Sequence, residues 1–548
     1  YAGTYFPTDA FRSLLSQVAG LWLRDEVALR RDADKLAEAI DSIMTRRVEA
    51  AEITPQALNS AGRALLQNFD MVFGGFGGAP KFPQESTLLF LLRLAEKDGH
   101  KDALDAVTYT LDSMLNGGIQ DQAGGGFHRY AVDKKWLVPH FEKMLYNQAL
   151  MTQALVRAYR LTGEARFAAG ARRALDYVLD DMTDSQGGFY SARDADSEGE
   201  EGVFYVWTPK QLEDALGKDD AAFARTVFGV TPEGNFENNT NVLHLPRPAS
   251  EQAKQLGMSL SAFNKRLDAV RKRLAQARGK REAPHRDEKI VAAWNGMMIA
   301  AFAEGARAFG EKRYEKAALK AAKFMWEKMR ARGELKRAWF EGQAALDGQQ
   351  EDYAFTALGF IALHDLTGAK RWLQRAETLM SEMVKQFRDE SSGDYFMTAS
   401  LNTFGKAKAR SDAGTPSGNA AALEAFAKLT RRSANPDHRI NGEALLTALS
   451  GLALRSPPSN AYTLMAADML LRGGAGPRQY ISNGVIDAHA ALGPAPGALS
   501  VTIRIADGWH INSNTPLEDF FIPTELSIEV MKGAKITYPA HKKLKHGF

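Results

Sequence analysis

The sequence predicts a mainly α protein whose body is a closed ring of helical hairpins. Three observations predict it: helical periodicity dominates, short turns join consecutive helices into antiparallel pairs, and a glycine–aromatic signature recurs along the chain. Leu145, Ala149, Thr152, Val156 and Tyr159 fall on one helix face. Met298, Phe302, Ala306 and Phe309 do the same, as do Phe355, Leu358, Ala362 and Leu366. Helices over 142–161 and 294–309 are each followed by an Ala-rich helix, 165–182 and 312–331, across Thr162-Gly163-Glu164 and Gly310-Glu311. The signature reads Gly124-Gly125-Gly126-Phe127, Gly187-Gly188-Phe189-Tyr190 and Gly393-Asp394-Tyr395-Phe396, with a weaker copy at Arg337-Ala338-Trp339-Phe340. Glycines permit a tight reversal, and the aromatics plug back into the core. Roughly five or six such units between Pro55 and Arg432 predict a toroid, because an open array needs capping repeats. An open α-solenoid is the competing architecture.

Residues 1–50 hold a short loop and an amphipathic helix pair, 51–472 the repeating body, and 473–548 a partial β domain. An insertion at 201–286 breaks the repeat. It opens with strand-like Val203-Phe204-Tyr205-Val206-Trp207, passes an Asn-rich loop, and ends in a basic helix around Lys265–Arg281, read as a solvated face. In the last segment Val501, Ile503 and Ile505 alternate with polar residues, as do Leu526, Ile528 and Val530, which is the pattern of antiparallel β.

Composition excludes several classes. With 45% hydrophobic and 25% charged residues the chain is ordinary globular material, and a net charge of +3 implies no nucleic-acid partner. Cysteine is absent, so disulfides, thiolate metal sites and thiol nucleophiles are excluded within these residues. No apolar run approaches membrane-spanning length. The chain opens on Tyr1 and reads as a fragment, so the lack of a signal peptide carries no weight.

The densest chemistry lies in GGIQDQAGGGFHRYAVDKKWLVPHFEKMLYNQAL, residues 117–150. His128 and His140 are proton-shuttle candidates, with Tyr130 and Trp136 as anchoring aromatics. The bland reading is that each histidine caps a helix or bonds a backbone carbonyl. Glu142, Asp287 and Asp352 each stand at or just before the first helix of a hairpin, where a carboxylate also suits the helix dipole. In a toroid equivalent helix ends meet around one funnel, so these carboxylates are expected to converge. Two converging carboxylates are the equipment of glycoside hydrolysis. Trp294 and Asn295 would stack on a pyranose and hold its hydroxyls, joined by Glu351 and Tyr353; the alternative is a core tryptophan beside a helix cap. Asp194 and Asp196 open a calcium-loop-like run that fails downstream, where the bidentate Glu is replaced by Tyr205; a solvated acidic loop, or one lining the funnel, is expected. Gly74-Gly75-Phe76-Gly77-Gly78 reads as a tight turn carrying Lys81 and Phe82 to a surface.

These motifs in this order resemble the spermatogenesis-associated protein 20-like family of thioredoxin-domain-containing proteins with a six-hairpin glycosidase-like body. The resemblance runs over about residues 1–470. It is carried by Gly3-Thr4-Tyr5-Phe6-Pro7, Gly77-Gly78-Ala79-Pro80-Lys81-Phe82-Pro83, the stretch 117–150, GGFYSARDADSEGEEGVFYVWTP at 187–209, and Glu233-Gly234-Asn235-Phe236. It continues in PHRDEKIVAAWNGMMIAA at 284–301, Glu351-Asp352-Tyr353-Ala354-Phe355, and Pro416-Ser417-Gly418-Asn419. It implies an (α/α)6 toroid akin to glucosamine 2-epimerases, preceded by the tail of a thioredoxin-like domain at about residues 1–25. The stretch Ala506-Asp507-Gly508-Trp509-His510 to Pro516 resembles the amino-terminal β-sandwich domain of the disulfide interchange protein DsbD, without its cysteine pair. That end implies an extracytoplasmic setting and the body implies none, so cytoplasm and periplasm both stay open.

The leading expectation is a carbohydrate-active enzyme, glycosidase-like or epimerase-like. Acid/base work falls to His140, Glu142, Asp287 and Asp352. Binding of a small sugar-like substrate falls to His128, Tyr130, Trp136, Asp194, Asp196, Trp294, Asn295, Glu351 and Tyr353. The residues require no metal or organic cofactor. The alternative is a redox-linked binding or quality-control protein whose toroid engages a thiol-redox partner.

Overall fold

The computed structural model describes residues 7–45, 48–400, 406–474, 476–492, 498–516, 518, 522–526 and 535–540. Gly3 to Phe6 of the first motif, and Ile528 and Val530 of the last alternation, lie outside the described residues.

Six helices form an inner ring: Glu85–Asp98, Leu145–Thr162, Ala292–Phe309, Gln350–Thr367, Gly418–Arg432 and Ala461–Arg472. They are buried on nearly every side, polar residues included. Every residue from Leu145 to Val156 is buried, as a helix enclosed on all sides requires. Each of the first five is followed by an outer helix: Lys101–Asn116, Ala165–Asp181, Lys312–Lys328, Lys370–Phe387 and Asp437–Arg455. The outer helices are amphipathic. Lys370–Phe387 buries Trp372, Ala376, Leu379, Met380, Met383 and Phe387, one stripe at helical spacing. The sixth outer helix is Pro55–Leu66, which precedes the ring in sequence and packs against the last inner helix, giving an (α/α)6 architecture.

Polar clasps close the circle. Gln350 Nε2 donates to Gly418 O at 2.9 Å, the Tyr462 hydroxyl bonds Glu424, and Arg93 bonds Asp468 and donates to Gly473 O at 2.6 Å. Helices Ala292–Phe309 and Gln350–Thr367 meet backbone to backbone, because a Cβ at Gly296 would lie 2.3 Å from Phe355 O and one at Gly359 2.7 Å from Gly296 O.

The glycine–aromatic signature is a repeated clasp. Single β-bridges join Phe69 to Phe76, Gln120 to Phe127, Thr183 to Phe189 and Arg388 to Tyr395. Each turn opens on an aspartate, Asp70, Asp121, Asp184 or Asp389, whose Oδ1 accepts the backbone N–H two residues on. Buried lysines Lys81, Lys143 and Lys408 pair with three of these aspartates. The next inner helix then grips the aromatic's backbone with a side-chain amide. Gln148 accepts from Phe127 N at 2.8 Å and donates to its carbonyl at 2.6 Å. Asn295 does the same to Phe189 (2.8 and 2.9 Å), and Asn419 to Tyr395 (2.9 and 3.0 Å).

Three local expectations are corrected. The 74–78 stretch is a partial copy of this clasp, with the bridge, Asp70 and Lys81 but only a single amide bond, Gln84 Nε2 to Phe76 O at 3.1 Å; Lys81 is buried rather than presented at a surface, and Phe82 is exposed. Arg337–Phe340 is not a copy; it belongs to the antiparallel hairpin Glu334–Phe340/Gln343–Asp347. Val203–Trp207 is a turn, not a strand. Tyr205 and Val206 bury against Phe141, Ala195 and Val242, and only Trp207 bridges, to Asn241. The insertion has a small core of its own around Trp207, Leu212, Phe223, Phe228, Phe263 and Leu267.

By contacts the described chain divides into a unit of residues 1–429 and 437–473, and a second of 430–436 and 474–548. The second carries a three-stranded antiparallel sheet, Arg478–Ile481, Ile486–Leu492 and Leu499–Ile505. In the first, helices Thr8–Arg24 and Glu26–Thr45 precede the ring, and no residue of Thr8–Arg24 is buried. No described helix is long and apolar enough to cross a membrane.

Candidate functional site

Inner helix Leu145–Thr162 is entered through a short β-ladder in which Tyr130–Ala131 pairs with Pro139–His140, Tyr130 opposite His140. The pairing stacks three rings. Phe82 lies 4.6 Å from Tyr130, and Tyr130 lies 5.0 Å from the His140 imidazole. His140 Nδ1 stands 2.8 Å from Glu201 Oε1 of the insertion, which also accepts Phe141 N at 3.1 Å, while Nε2 is 3.7 Å from Glu142 Oε2. With a carboxylate on each nitrogen the imidazole favours its protonated form, in which both are donors. Glu142, then Glu201, raises the His140 pKa against the opposing effect of burial, and His140 with Arg129 lowers that of Glu142.

Arg129 connects this cluster to the helix. Its Nη1 donates to Glu142 at 3.1 Å and its Nε to the Tyr146 hydroxyl at 3.2 Å. The Tyr146 ring meets Trp294 edge-on at 5.1 Å. Beside Tyr146, Asn147 Nδ2 donates to Glu85 Oε1 at 2.8 Å, and burial pushes the Glu85 carboxyl up to about 7. Asn147 Oδ1 is buried without a hydrogen-bond partner among the described residues. The neighbourhood thus holds an imidazole, three carboxyls of which Glu142 and Glu85 stand in opposite electrostatic settings, a guanidinium and the exposed ring of Phe82, which is equipment for moving protons on a hydroxylated molecule.

The other predicted residues are placed elsewhere. His128 is buried, its Nδ1 2.8 Å from Phe141 O, and burial lowers its pKa to about 3. Trp136 is fully enclosed and donates to Phe73 O at 3.0 Å, holding the first clasp turn. Asn295 is consumed by its clasp on Phe189. The Tyr353 hydroxyl accepts from Leu335 N and Gln386 Nε2. Asp352 is fully buried with both oxygens occupied: Oδ1 accepts Ala293 N at 3.0 Å, and Oδ2 accepts Gln349 N at 2.8 Å and Arg337 at 3.1 Å. It ties two neighbouring inner helices together, and burial raises its pKa to about 7 against the pull of Arg337. Glu351 pairs with Arg337 at 2.9 Å. Asp194 and Asp196 are exposed around the hairpin Asp196–Ser197/Glu200–Glu201. Asp287 faces a separate surface cavity and pairs with Lys289 at 3.0 Å. Only Tyr130, His140 and Glu142, with Trp294 through Tyr146, are brought together.

Glu85, Arg129, Tyr146 and Glu201 went unrecognised in the sequence. Glu85 carried a readable signal, since it is the first residue of an inner helix and fits the pattern of acids at helix starts. Glu201 carried none, because it reaches His140 across 61 residues of chain.

No protein-family model matches the chain. Solved structures similar to it include cellobiose 2-epimerase from Spirochaeta thermophila DSM 6192 (15% identity, 76% of this chain and 85% of that one, TM-score 0.46). D-mannose isomerase is another (10% identity, 76% and 98%, TM-score 0.47). In sequence, the chain is 32% identical over 525 residues to human spermatogenesis-associated protein 20 and 31% identical over 527 residues to the mouse protein. Each match covers 86% of this chain and 66% of the relative's length. The chain belongs to the spermatogenesis-associated protein 20-like family.

Proposed function

We propose that the ring is a carbohydrate-active enzyme body whose chemistry is proton transfer at the entrance of helix Leu145–Thr162. The observation that carries this reading is the half-buried His140–Glu142–Arg129–Tyr146 network beside Glu85. His140, charged between two carboxylates, is the proton donor. Glu85, poised near neutrality by burial, is the group able to take and return a proton at physiological pH. Phe82, exposed at the end of the stack, and Trp294 offer ring faces to the apolar side of a sugar.

The test is incubation of the protein with neutral mono- and disaccharides in D2O, followed by NMR. Epimerisation or isomerisation through a proton beside the carbonyl incorporates deuterium at that carbon, and hydrolysis frees a new reducing end. His140→Ala and Glu85→Gln should each lower the rate by at least about 100-fold, the usual contribution of a general acid or base. Equal rates in wild type and both variants refute the proposal.

A further inference from the structure

We propose that the cavity beneath the Glu334–Asp347 hairpin is a second binding subsite, for a neutral hydroxylated ligand of the saccharide class. The inference deepens the proposed function, resting on the reading that the ring handles sugars, but its observations are separate. The cavity is open to solvent, measures about 690 Å³ and is lined by Arg193, His285, Arg286, Asp287, Glu288, Lys289 and Phe340.

The floor is rigid. Strand Lys143–Met144, which follows Glu142 in the chain, pairs with Ala192–Arg193, and that strand pairs with Arg286–Asp287, Arg193 lying between Lys143 and Arg286. The subsite is therefore built on the same small sheet that leads out of the His140 cluster. The roof is rigid too. The hairpin pairs with Ile290–Val291, Trp339 opposite Ile290, so Phe340 follows on directly beside Lys289. Its reversal at Glu341-Gly342 has positive φ at both residues (49° and 83°), the twist-matched two-residue turn that fixes strand direction. Phe340 is 46% exposed at that tip, an aromatic face held over a polar floor.

Charge balance favours a neutral ligand. Arg193 is bound by Asp181, Arg286 by Glu288 at 2.6 Å and Lys289 by Asp287 at 3.0 Å, so three cations meet three anions. An ionic ligand meets Arg193, Arg286 and Lys289 already paired, so it gains less Coulomb energy here than at an unpaired charge. Hydroxyl groups both donate and accept, so they can bridge carboxylate and guanidinium without disturbing the balance, while the carbon face of a sugar ring lies on Phe340.

The experiment uses the full chain and saturation-transfer NMR titrations with four probes: mannose, maltose, glucuronate and glucosamine. The neutral sugars should bind and the two charged ones should not. Phe340→Ala should weaken maltose binding by about tenfold, the scale of one lost aromatic contact. Glu288→Gln, by freeing Arg286, should raise the affinity for glucuronate. Tighter binding of glucuronate or glucosamine than of the neutral sugars by wild type, no binding of any probe, or a Phe340→Ala titration identical to wild type overturns the subsite. Phe340-dependent maltose binding without turnover of any sugar keeps the subsite and removes the proposed function. Turnover that Phe340→Ala leaves unchanged in both binding and rate does the reverse.

Discussion

Replacing Asn295 by leucine separates a sugar-binding asparagine from a structural one. Asn295 is fully buried; it accepts Phe189 N at 2.8 Å and donates to Phe189 O at 2.9 Å and Val291 O at 3.0 Å. Leucine nearly matches its shape but leaves the amide and carbonyl of Phe189 unpaired, and Phe189 itself is fully buried. Each such group costs about 1–3 kcal/mol, so the loss should be about 2–6 kcal/mol. Urea unfolding monitored by far-UV circular dichroism measures it as a lower midpoint at unchanged slope. Asn295→Asp adds a control: to donate to Phe189 O the new carboxyl must stay protonated, so its destabilisation should deepen as pH rises. Both results follow from the clasp alone. A loss below about 0.5 kcal/mol, accompanied by lost maltose binding, would refute the structural role and restore the binding one.

Four further outcomes are expected. Arg93→Met removes one of the two guanidinium partners of buried Asp468, Arg472 remaining, and should cost about 1–3 kcal/mol, part of it recovered when Asp468→Leu is added; a double-mutant cycle in urea reads the coupling. Gly296→Ala drives a methyl group into the Phe355 carbonyl and should cost about 1–3 kcal/mol by the same assay. The Glu85 carboxyl has a folded pKa raised from 4.5 to about 7, so the stability tied to its proton is full below about 4.3 and lost as pH rises through 7. Glu85→Gln should abolish that fall, seen as a flatter melting temperature between pH 5 and 8. His140 is raised and Glu142 lowered. The His140 contribution is therefore present below about 6.5 and lost as pH rises through its folded value, and the Glu142 contribution is present above about 4.3 and lost as pH falls. His140→Ala should flatten the alkaline limb of the stability profile and Glu142→Gln the acid limb.

The helical hairpins, their short turns and their recurrence were legible because periodicity and glycine placement are local properties. Leu145, Ala149, Thr152, Val156 and Tyr159 read as one helix face, whereas the structure buries every residue from Leu145 to Val156, because ring closure covers the other faces too. The candidate site was legible only where chemistry and helix starts coincide in the chain, at His140 and Glu142. The same rule overreached at Asp352, because a carboxylate at a helix start serves equally as a clasp between helices, and only the neighbouring amide of Ala293 distinguishes the two. Trp294 and Asn295 are adjacent in sequence yet face opposite duties, the indole toward Tyr146 and the amide into the turn at Phe189, since successive helix residues point about 100° apart. The sequence by itself determined a mainly α ring of hairpins and pointed to one cluster of candidate acid/base residues. Tertiary structure alone decided which side chains meet. Glu201 reaches His140, Asn147 reaches Glu85, and Phe340 and Arg286 line one cavity through ring closure and strand register, and no local pattern of residues encodes those placements.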